Sequence, residues 1–272
     1  MTVGIICIAK DEERYLDEWI QYHFRIGIKL IYFFDNNDIG NDGQKLIIEK
    51  YPNIQYYDVR GRDALVTAGM QRGCYLKAYN EHCTECDYIV LLDIDEFLYF
   101  NELSVDEFVK LPQFSDTDVI HLNWKYYGDN DLVFYDNRPV QERFSEPAPL
   151  DVRYAQLYPE NQTIKSIIKT ENPIIDMTCH LGIIKDGICR LSDGSVGNMN
   201  SAIEPICHSG GFIKHYGTKT ITEYIERRCL NTLNANATNV ISATTRLNWF
   251  FNVNKHTDVK DKIASWFYSR GL

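Results

Sequence analysis

The sequence lacks the features of membrane-spanning and nucleic-acid-binding proteins. No apolar run approaches the ~20 residues that a transmembrane helix needs. Lys and Arg number 28 against 38 Asp and Glu, a formal net charge of -10, and there is no basic run to hold a phosphate backbone. The apolar N-terminal segment is short and precedes its charges, which indicates a buried strand and not a signal peptide. We therefore expect a cytoplasmic protein.

Three common nucleotide-binding signatures are also missing. There is no G-x-x-x-x-G-K-[ST] loop and no G-x-G-x-x-G fingerprint. A sugar nucleotidyltransferase would carry a Gly-rich loop after its first strand, but this chain has Lys10-Asp11-Glu12-Glu13 there. Any phosphate chemistry must depend on another motif.

The eight cysteines are scattered and do not form the compact frame of a small secreted protein. One local pattern leaves a zinc site open, because Cys83 and Cys86 form a C-x-x-C pair beside His82. A structural zinc site needs a second pair of ligands. Cys179 and Cys207 supply one only if the fold brings them close.

The first hundred residues alternate between apolar, β-branched runs and amphipathic segments, in the order β-α-β-α-β-α-β. This order predicts an α/β fold with a mostly parallel sheet flanked by helices. Ligands of such sheets bind beyond the carboxyl ends of the strands, so Lys10, Asp35, Arg60 and Asp93 are the residues of interest. The predicted strands cover residues 3–9, 29–34, 54–59 and 88–92, and the predicted helices cover 11–25, 44–50 and 64–81.

The pattern is looser after residue 100. Strands are predicted at 119–124, 162–169 and 174–181. A helix is predicted at 219–233 because Thr220 and Glu223 have the spacing of a capping box. The tail from 245 to 272 is predicted to be mostly helical. No repeat or linker divides the chain, so one continuous domain is the simplest description.

Asp93-Ile94-Asp95-Glu96 is the most informative segment. Three acids within four positions repel one another unless a positive charge lies between them. Mg²⁺ or Mn²⁺ meets that need and can bridge the oxygens of a diphosphate. Alternatively, the acids cap a helix that starts at Asp95. A phosphatase of the haloacid-dehalogenase type would carry the motif on its first strand with Thr or Val following, whereas Glu96-Phe97 follows here.

Four motifs in the first hundred residues form one joint pattern. They are Ala9-Lys10-Asp11-Glu12, Tyr15-Leu16-x-Glu18-Trp19-Ile20-x-Tyr22-His23, Ile31-Tyr32-x-x-Asp35-Asn36 and Asp93-Ile94-Asp95-Glu96-Phe97. The pattern resembles the family 2-like and family 92 glycosyltransferases, whose nucleotide-diphospho-sugar transferase fold is called GT-A. The resemblance continues more loosely at 124–128, 141–144, 165–167 and 214–216.

The resemblance implies a nucleotide-sugar donor, with a UDP-hexose favoured, and sugar transfer with inversion. It divides the chain into a donor-binding half (1–100), an acceptor-binding and catalytic half (101–218) and a helical C-terminal segment (219–272). Asp93 and Asp95 match the metal-binding acids, and Asp95 is also expected to act in catalysis. His215 is predicted to complete the Mn²⁺ or Mg²⁺ site or contact the diphosphate, with His180 a weaker rival.

The remaining donor contacts follow from position. We expect them from Ala9, Lys10, Asp35, Gln71, Arg72, Asp93, Ile94 and Lys165. A position on a solvent-exposed helix face explains Arg72 equally well. Simple exposure to solvent is the alternative explanation for Lys165.

The catalytic base is not specified by spacing. An inverting transferase needs a carboxylate that deprotonates the acceptor hydroxyl. Glu142 is our choice among Glu142, Asp151, Asp176 and Asp193, although an ion pair with Arg143 or another base also explains it.

The sequence leaves three properties open: the acceptor, the class of function and the role of the aromatic tail segments. The acceptor is expected to be a glycan or a lipid-linked sugar of surface polysaccharide or lipopolysaccharide assembly. A phosphatase or phosphotransferase using the same acids, or a glycan-binding module without catalysis, are the competing functions. Aromatic residues at 247–251 and 266–268 suggest either a weak peripheral membrane contact at the inner face of the membrane, packing onto the domain, or a homodimer.

Overall fold

In a computed structural model of the chain, the structure describes residues 1–61, 67–82, 84–149, 153–154, 158–230 and 239–254. The described part is built around a mixed sheet. Its strands are β1 (Val3–Ala9), β2 (Leu30–Asp35), β3 (Ile54–Asp58), β4 (Tyr88–Leu91), β5 (Glu96–Tyr99), β6 (Val119–Tyr126), β9 (Ile164–Lys169), β12 (Cys189–Leu191) and β13 (Phe212–His215). Small two-stranded pairs complete the set, namely β7 (Arg153–Tyr154) with β8 (Tyr158–Pro159) and β10 (Ile174–Met177) with β11 (Gly182–Ile184).

The sheet order is β3-β2-β1-β4-β9-β6-β13-β5, and β12 pairs with β6. Strands β3, β2, β1 and β4 run parallel to one another. Beyond them the sheet is mixed, because β9 runs antiparallel to both β4 and β6, and β13 runs antiparallel to β5. The α/β prediction is confirmed, and the parallel arrangement holds among β1, β2, β3 and β4.

Helices connect the parallel strands, as the alternating pattern predicts. These are α1 (Glu13–Arg25), α2 (Gly43–Ile48) and α3 (Thr67–His82). The later described helices are α4 (Val105–Phe108), α5 (Val140–Arg143), α6 (Ile221–Tyr224, continued by a π-helical turn over Ile225–Leu230) and α7 (Asn239–Asn254). Helix α1 buries the apolar stripe that its sequence shows, including Leu16, Trp19 and Ile20. The predicted start at Asp11 is wrong because Asp11 has a left-handed φ of 57°, so the helix begins at Glu13.

Two further predictions need correction. The strand predicted over 174–181 is instead β10, a turn and β11, because the Thr178 hydroxyl accepts hydrogen bonds from the N–H groups of His180 and Leu181. The acids of the Asp93 motif do not cap a helix, since strand β5 begins at Glu96. The capping box of Thr220 and Glu223 is confirmed at the start of α6.

The chain separates into two compact units. The first combines Met1–Trp124 with Gln162–His215, and the second combines Lys125–Asn161 with Tyr216–Leu272. The predicted divisions after residues 100 and 218 concern function, and they stay predictions.

In the second unit, Arg143 and Glu223 form a buried two-pronged ion pair with distances of 2.9 and 3.1 Å. Phe250 packs beside Ile221 and Tyr224, so part of the aromatic tail segment lies in this unit's core. Residues 266–268 lie outside the described residues. None of the described helices has the length and hydropathy of a membrane span.

Candidate active site at the carboxyl edge of the parallel strands

The parallel register brings three strand ends together. Ala9 lies opposite Asp35, and Asp35 lies opposite Asp58, so β1, β2 and β3 end side by side. Strand β4 pairs with β1 as far as Ile6 and Leu91, and its continuation delivers Asp93 to the same edge. The predicted ligand-binding edge of the sheet therefore carries most of the residues that the sequence singled out.

Asp35 is fully buried and held by internal donors. Its Oδ1 accepts hydrogen bonds from Gln44 Nε2 at 2.6 Å and from the Asn37 N–H at 3.0 Å, and its Oδ2 accepts one from the Tyr56 hydroxyl at 3.0 Å. The Ala9 carbonyl accepts from Asn36 N–H at 2.8 Å. This network fixes the ends of β1 and β2. A donor contact by Asp35 stays a prediction.

Lys10 and Arg60 follow β1 and β3 at the exposed rim. Lys10 Nζ lies 2.6 Å from Asp38 Oδ1. Arg60 forms ion pairs with Asp42 and Asp58. Both cations are therefore engaged with surface acids in this structure.

The acidic motif forms a tight turn between β4 and β5. The Glu96 N–H donates to the Asp93 carbonyl at 3.1 Å, and the Asp93 N–H donates to Glu96 Oε2 at 2.8 Å. Asp95, Glu96 and Ile94 are buried, whereas one third of the Asp93 side chain is exposed. Asp93 is thus the acid of this turn that solvent reaches most easily.

Lys165 provides the positive charge that the acids require. Its Nζ lies 2.7 Å from Asp93 Oδ2, 3.4 Å from Glu96 Oε2 and 2.9 Å from the Cys179 carbonyl oxygen, and the side chain is completely buried. Burial opposes the charge on this lysine, but Asp93 and Glu96 raise its pKa well above the usual value. The alternative of a simply exposed lysine is wrong.

Glu96 was quoted in the sequence motif without a role of its own. Burial raises its pKa to about 8 although Lys165 opposes that shift. Its Oε1 atom is buried without a hydrogen-bond partner among the described residues. Such an oxygen is expensive to leave unpaired and can be satisfied by a proton or a cation.

His215 lies beside the second acid of the motif. Its Nε2 is 3.8 Å from Asp95 Oδ1, because β13 pairs with β5 and places His215 opposite Glu96. The Trp124 ring lies against the His215 ring, with their centroids 4.0 Å apart. The centroids of the Trp124 and His180 rings are 5.5 Å apart. Sequence reasoning missed Trp124, although the resemblance includes it.

His180 also lies against the Trp124 ring, in an edge-on arrangement. Its Nδ1 contacts the Ile164 carbonyl at 2.9 Å, and burial lowers its pKa to about 4. A neutral imidazole of this kind carries no charge at neutral pH.

Three side chains of α1 hold the outer edge of β5, which is the last strand in the sheet order. Trp19 Nε1 donates to the Glu96 carbonyl at 2.8 Å, and the Tyr22 hydroxyl donates to the Leu98 carbonyl at 2.6 Å. The Leu98 N–H donates to His23 Nε2 at 3.4 Å, while His23 Nδ1 bonds to the Trp19 carbonyl. These contacts give the Trp-Ile-x-Tyr-His motif a physical role, since they anchor the strand that follows the acidic turn.

Gln71 and Arg72 of helix α3, both predicted to contact the donor, have different partners in the structure. Gln71 donates to the hydroxyl of Tyr75 at 2.9 Å, and the buried Tyr75 has its pKa raised by burial and by the nearby Asp93 charge. Arg72 instead forms an ion pair with Asp176 at 2.6 Å on a half-exposed surface. Gln71 is therefore held by Tyr75, and Arg72 is occupied by Asp176.

The candidate bases have the following positions. Glu142 lies in the second unit, 59% exposed, with its Oε1 3.8 Å from an Arg138 nitrogen. Asp193 accepts bonds from the N–H and hydroxyl of Ser195. Asp176 is paired with Arg72, and Asp151 lies outside the described residues. The choice of Glu142 stays a prediction.

The zinc hypothesis also stays a prediction, because Cys83 lies outside the described residues. In the described part, the Cys86 thiol contacts the Tyr32 hydroxyl at 3.5 Å, and His82 Nδ1 lies 2.6 Å from Glu85 Oε1.

The residues at the acidic turn fit a divalent cation in chemistry but are not gathered as a finished site. Carboxylates suit Mn²⁺ and Mg²⁺, an imidazole is a common further ligand, and the unpaired Glu96 Oε1 adds an oxygen that needs a partner. Asp95 and His215 are in contact, whereas Asp93 pairs with Lys165. Among the described residues, no three His, Cys, Asp or Glu side chains converge as a metal-binding group.

Solved structures similar to the chain include several proteins that handle nucleotides or sugars. The galactosyltransferase LgtC in complex with donor and acceptor sugar analogs has 18% identity and a TM-score of 0.28, and the match covers 44% of this chain and 46% of that one. Mannosyl-3-phosphoglycerate synthase from Rubrobacter xylanophilus has 12% identity and a TM-score of 0.32 over 63% of this chain and 54% of that one. HddC from Yersinia pseudotuberculosis complexed with GMP-PN has 11% identity and a TM-score of 0.36, and the match covers 78% of this chain and 92% of that one. Likeness at this level does not bear on activity.

No protein-family model matches the chain. A glycosyltransferase family 92 protein of Oryza sativa subsp. japonica is 30% identical over 102 residues, which are 36% of this chain and 16% of the relative. A family 92 protein of Ricinus communis is 29% identical over 92 residues, 33% of this chain and 15% of the relative. The chain thus spans about one sixth of the length of the curated relatives it matches. Over about a third of its own length the chain is similar to glycosyltransferase family 92 proteins, which confirms the resemblance found in the sequence.

Proposed function

We propose that this chain is a glycosyltransferase with the GT-A fold that binds a nucleotide-sugar donor at the carboxyl edge of its parallel strands. The observation that carries the proposal is the acidic turn after β4, where Asp93 is accessible and Asp95 contacts His215. The similarity to family 92 glycosyltransferases supports the same activity.

In this proposal each part of the edge has a separate task. Asp93, Asp95 and His215 would hold Mn²⁺ or Mg²⁺, which supplies charge neutralisation for the diphosphate leaving group. Ala9, Lys10 and Asp35 would face the nucleoside, because they end or follow β1 and β2. Their hydrogen-bonded network keeps the edge ordered before a ligand arrives, which lowers the entropic cost of binding.

The finer assignments extend the proposal. The donor would be a UDP-hexose, the acceptor a glycan or lipid-linked sugar of surface polysaccharide assembly, and transfer would invert the anomeric carbon. Glu142 would be the base that deprotonates the acceptor. Replacing it with Gln should then abolish transfer and leave donor binding unchanged, which mass spectrometry of products and calorimetry can measure separately.

Donor turnover tests the proposal. Purified protein is incubated with a panel of nucleotide sugars and Mn²⁺, and release of each nucleoside diphosphate is followed by chromatography. We expect slow hydrolysis of one donor that EDTA stops and that Asp95→Asn lacks. Release of inorganic phosphate from phosphomonoesters, with no donor consumed, would contradict the proposal and favour a phosphatase.

A further inference from the structure

Lys165 is unusual because it occupies the position of the cation that the acids were expected to attract. The side chain is completely buried on β9, and three acceptor oxygens surround its Nζ: Asp93 Oδ2, Glu96 Oε2 and the Cys179 carbonyl oxygen. The ammonium group donates hydrogen bonds to Asp93 Oδ2 and to the Cys179 carbonyl oxygen, and it forms an ion pair with Glu96 Oε2. The lysine is a permanent internal counter-ion of the acidic turn.

The lysine changes the charge that an incoming divalent cation meets. Asp93 and Asp95 carry two formal negative charges when ionised, and Lys165 cancels one of them. It also lies directly on Asp93, the acid of the turn that is partly exposed and able to receive a ligand. A unit charge about 4 Å from a bound divalent cation lowers its affinity by roughly thirtyfold even at the dielectric constant of bulk water, and by more at the lower effective dielectric of a protein surface.

A bound diphosphate offsets this repulsion. Its oxygens place negative charge next to the divalent cation and next to the Lys165 ammonium group, so the cation is held strongly only when the anion is present. We propose that Lys165 makes divalent-cation binding at the Asp93–Asp95 turn depend on a bound nucleoside diphosphate. The inference rests on the proposed function and adds its order of assembly: the free cation binds weakly, and the cation and donor bind together.

A purely structural lysine would behave differently. If Lys165 only joins β9 to the turn after β4, its replacement should weaken the fold and leave the site with equal or lower affinity for a cation. The proposed role predicts the opposite sign, since removing the positive charge should raise the affinity for the free cation.

The test measures free Mn²⁺ by electron paramagnetic resonance in titrations with and without UDP. Wild type should bind Mn²⁺ at least tenfold more tightly with UDP than without it. Lys165→Met should bind Mn²⁺ alone at least tenfold more tightly than wild type, and its gain from UDP should shrink. Lys169→Met is the matched control, because Lys169 lies on the same strand but pairs with Glu171 at the surface. It should behave as wild type.

A second variant covers the case in which Lys165→Met does not fold. Lys165→Gln removes the positive charge, keeps an amide donor for the oxygens that surround Nζ and retains both aspartates. It should show the same rise in affinity for Mn²⁺ alone.

The inference is overturned if wild type binds Mn²⁺ equally well without UDP, or if the lysine variants bind it no more tightly than wild type. In either case nucleotide binding by wild type would still stand as evidence for the donor site. If calorimetry in addition detects no binding of UDP or of any other nucleoside diphosphate to wild type, the donor site itself is absent and both proposals fail.

Discussion

Replacing Tyr22 with Phe removes one hydroxyl group and tests whether α1 holds the strand that follows the acidic turn. The hydroxyl donates to the Leu98 carbonyl at 2.6 Å, and Leu98 is completely buried. The neighbouring Leu98 N–H is held by His23, so the two contacts act on one residue of β5.

The expected cost follows from the loss of a partner for a buried carbonyl. Leaving such a group unpaired costs about 1–3 kcal/mol. For a chain of this size the melting temperature falls by roughly 2–4 °C for each kcal/mol. Because β5 carries Glu96 opposite His215, we also expect Tyr22→Phe to weaken Mn²⁺-dependent nucleotide binding by several-fold.

Calorimetry and amide hydrogen exchange measure the two effects separately. Exchange at Leu98 should become faster in Tyr22→Phe relative to wild type. Tyr79→Phe is the matched control, since its hydroxyl donates to the Asn172 carbonyl at the longer distance of 3.3 Å. Unchanged exchange at Leu98, with the same thermal loss in both variants and no loss of nucleotide binding, would refute the reasoning.

Three more predictions concern stability. Arg143→Met should destabilise the protein by about 3–5 kcal/mol in denaturant melts because it leaves Glu223 buried without its partner; a loss below 1 kcal/mol would contradict this. Burial raises the pKa of Glu160 to about 7, so the folded state binds more protons than the unfolded one and stability falls as pH rises from about 4.5 to 7. The free energy of unfolding of Glu160→Gln should therefore exceed that of wild type by up to roughly 3 kcal/mol at pH 8 and equal it near pH 4. A difference that does not change with pH would argue against a raised pKa of Glu160. Gly210→Ala should fail to fold normally by circular dichroism, because its Cβ would lie 1.8 Å from the Ser192 carbonyl oxygen; a wild-type melting curve would disprove that close approach.

Local pattern was sufficient for the parallel half of the fold. Buried runs such as Val3–Ala9 and Tyr88–Leu91 are continuous and β-branched, and they form neighbouring parallel strands. The pattern was insufficient where one side chain redirects the backbone. Thr178 turns the chain between β10 and β11 through its hydroxyl, and no Gly or Pro marks that turn.

The acids of the candidate site could be predicted from the sequence, but the lysine that neutralises them could not. Asp93 and Asp95 follow a recognisable strand, so their location at the edge of the sheet follows from the alternating pattern. Lys165 reaches them across 72 positions of sequence, because β9 inserts antiparallel between β4 and β6. Periodicity carries no information on such a pairing. The roles of Trp19 and Tyr22 likewise depend on where β5 lies in the sheet.

Mn²⁺-dependent thermal stabilisation is the most direct test of nucleotide binding at the Asp93–Asp95 turn. The melting temperature is measured with each nucleoside diphosphate and nucleotide sugar, with and without Mn²⁺, for wild type, Asp95→Asn and Lys169→Met. Ligands that bind the folded state raise its melting temperature. We expect a shift with one nucleoside diphosphate that requires Mn²⁺, persists in Lys169→Met and disappears in Asp95→Asn. No shift in wild type with any nucleotide and Mn²⁺, or an equal shift in Asp95→Asn, would contradict the assignment of a donor site to this turn.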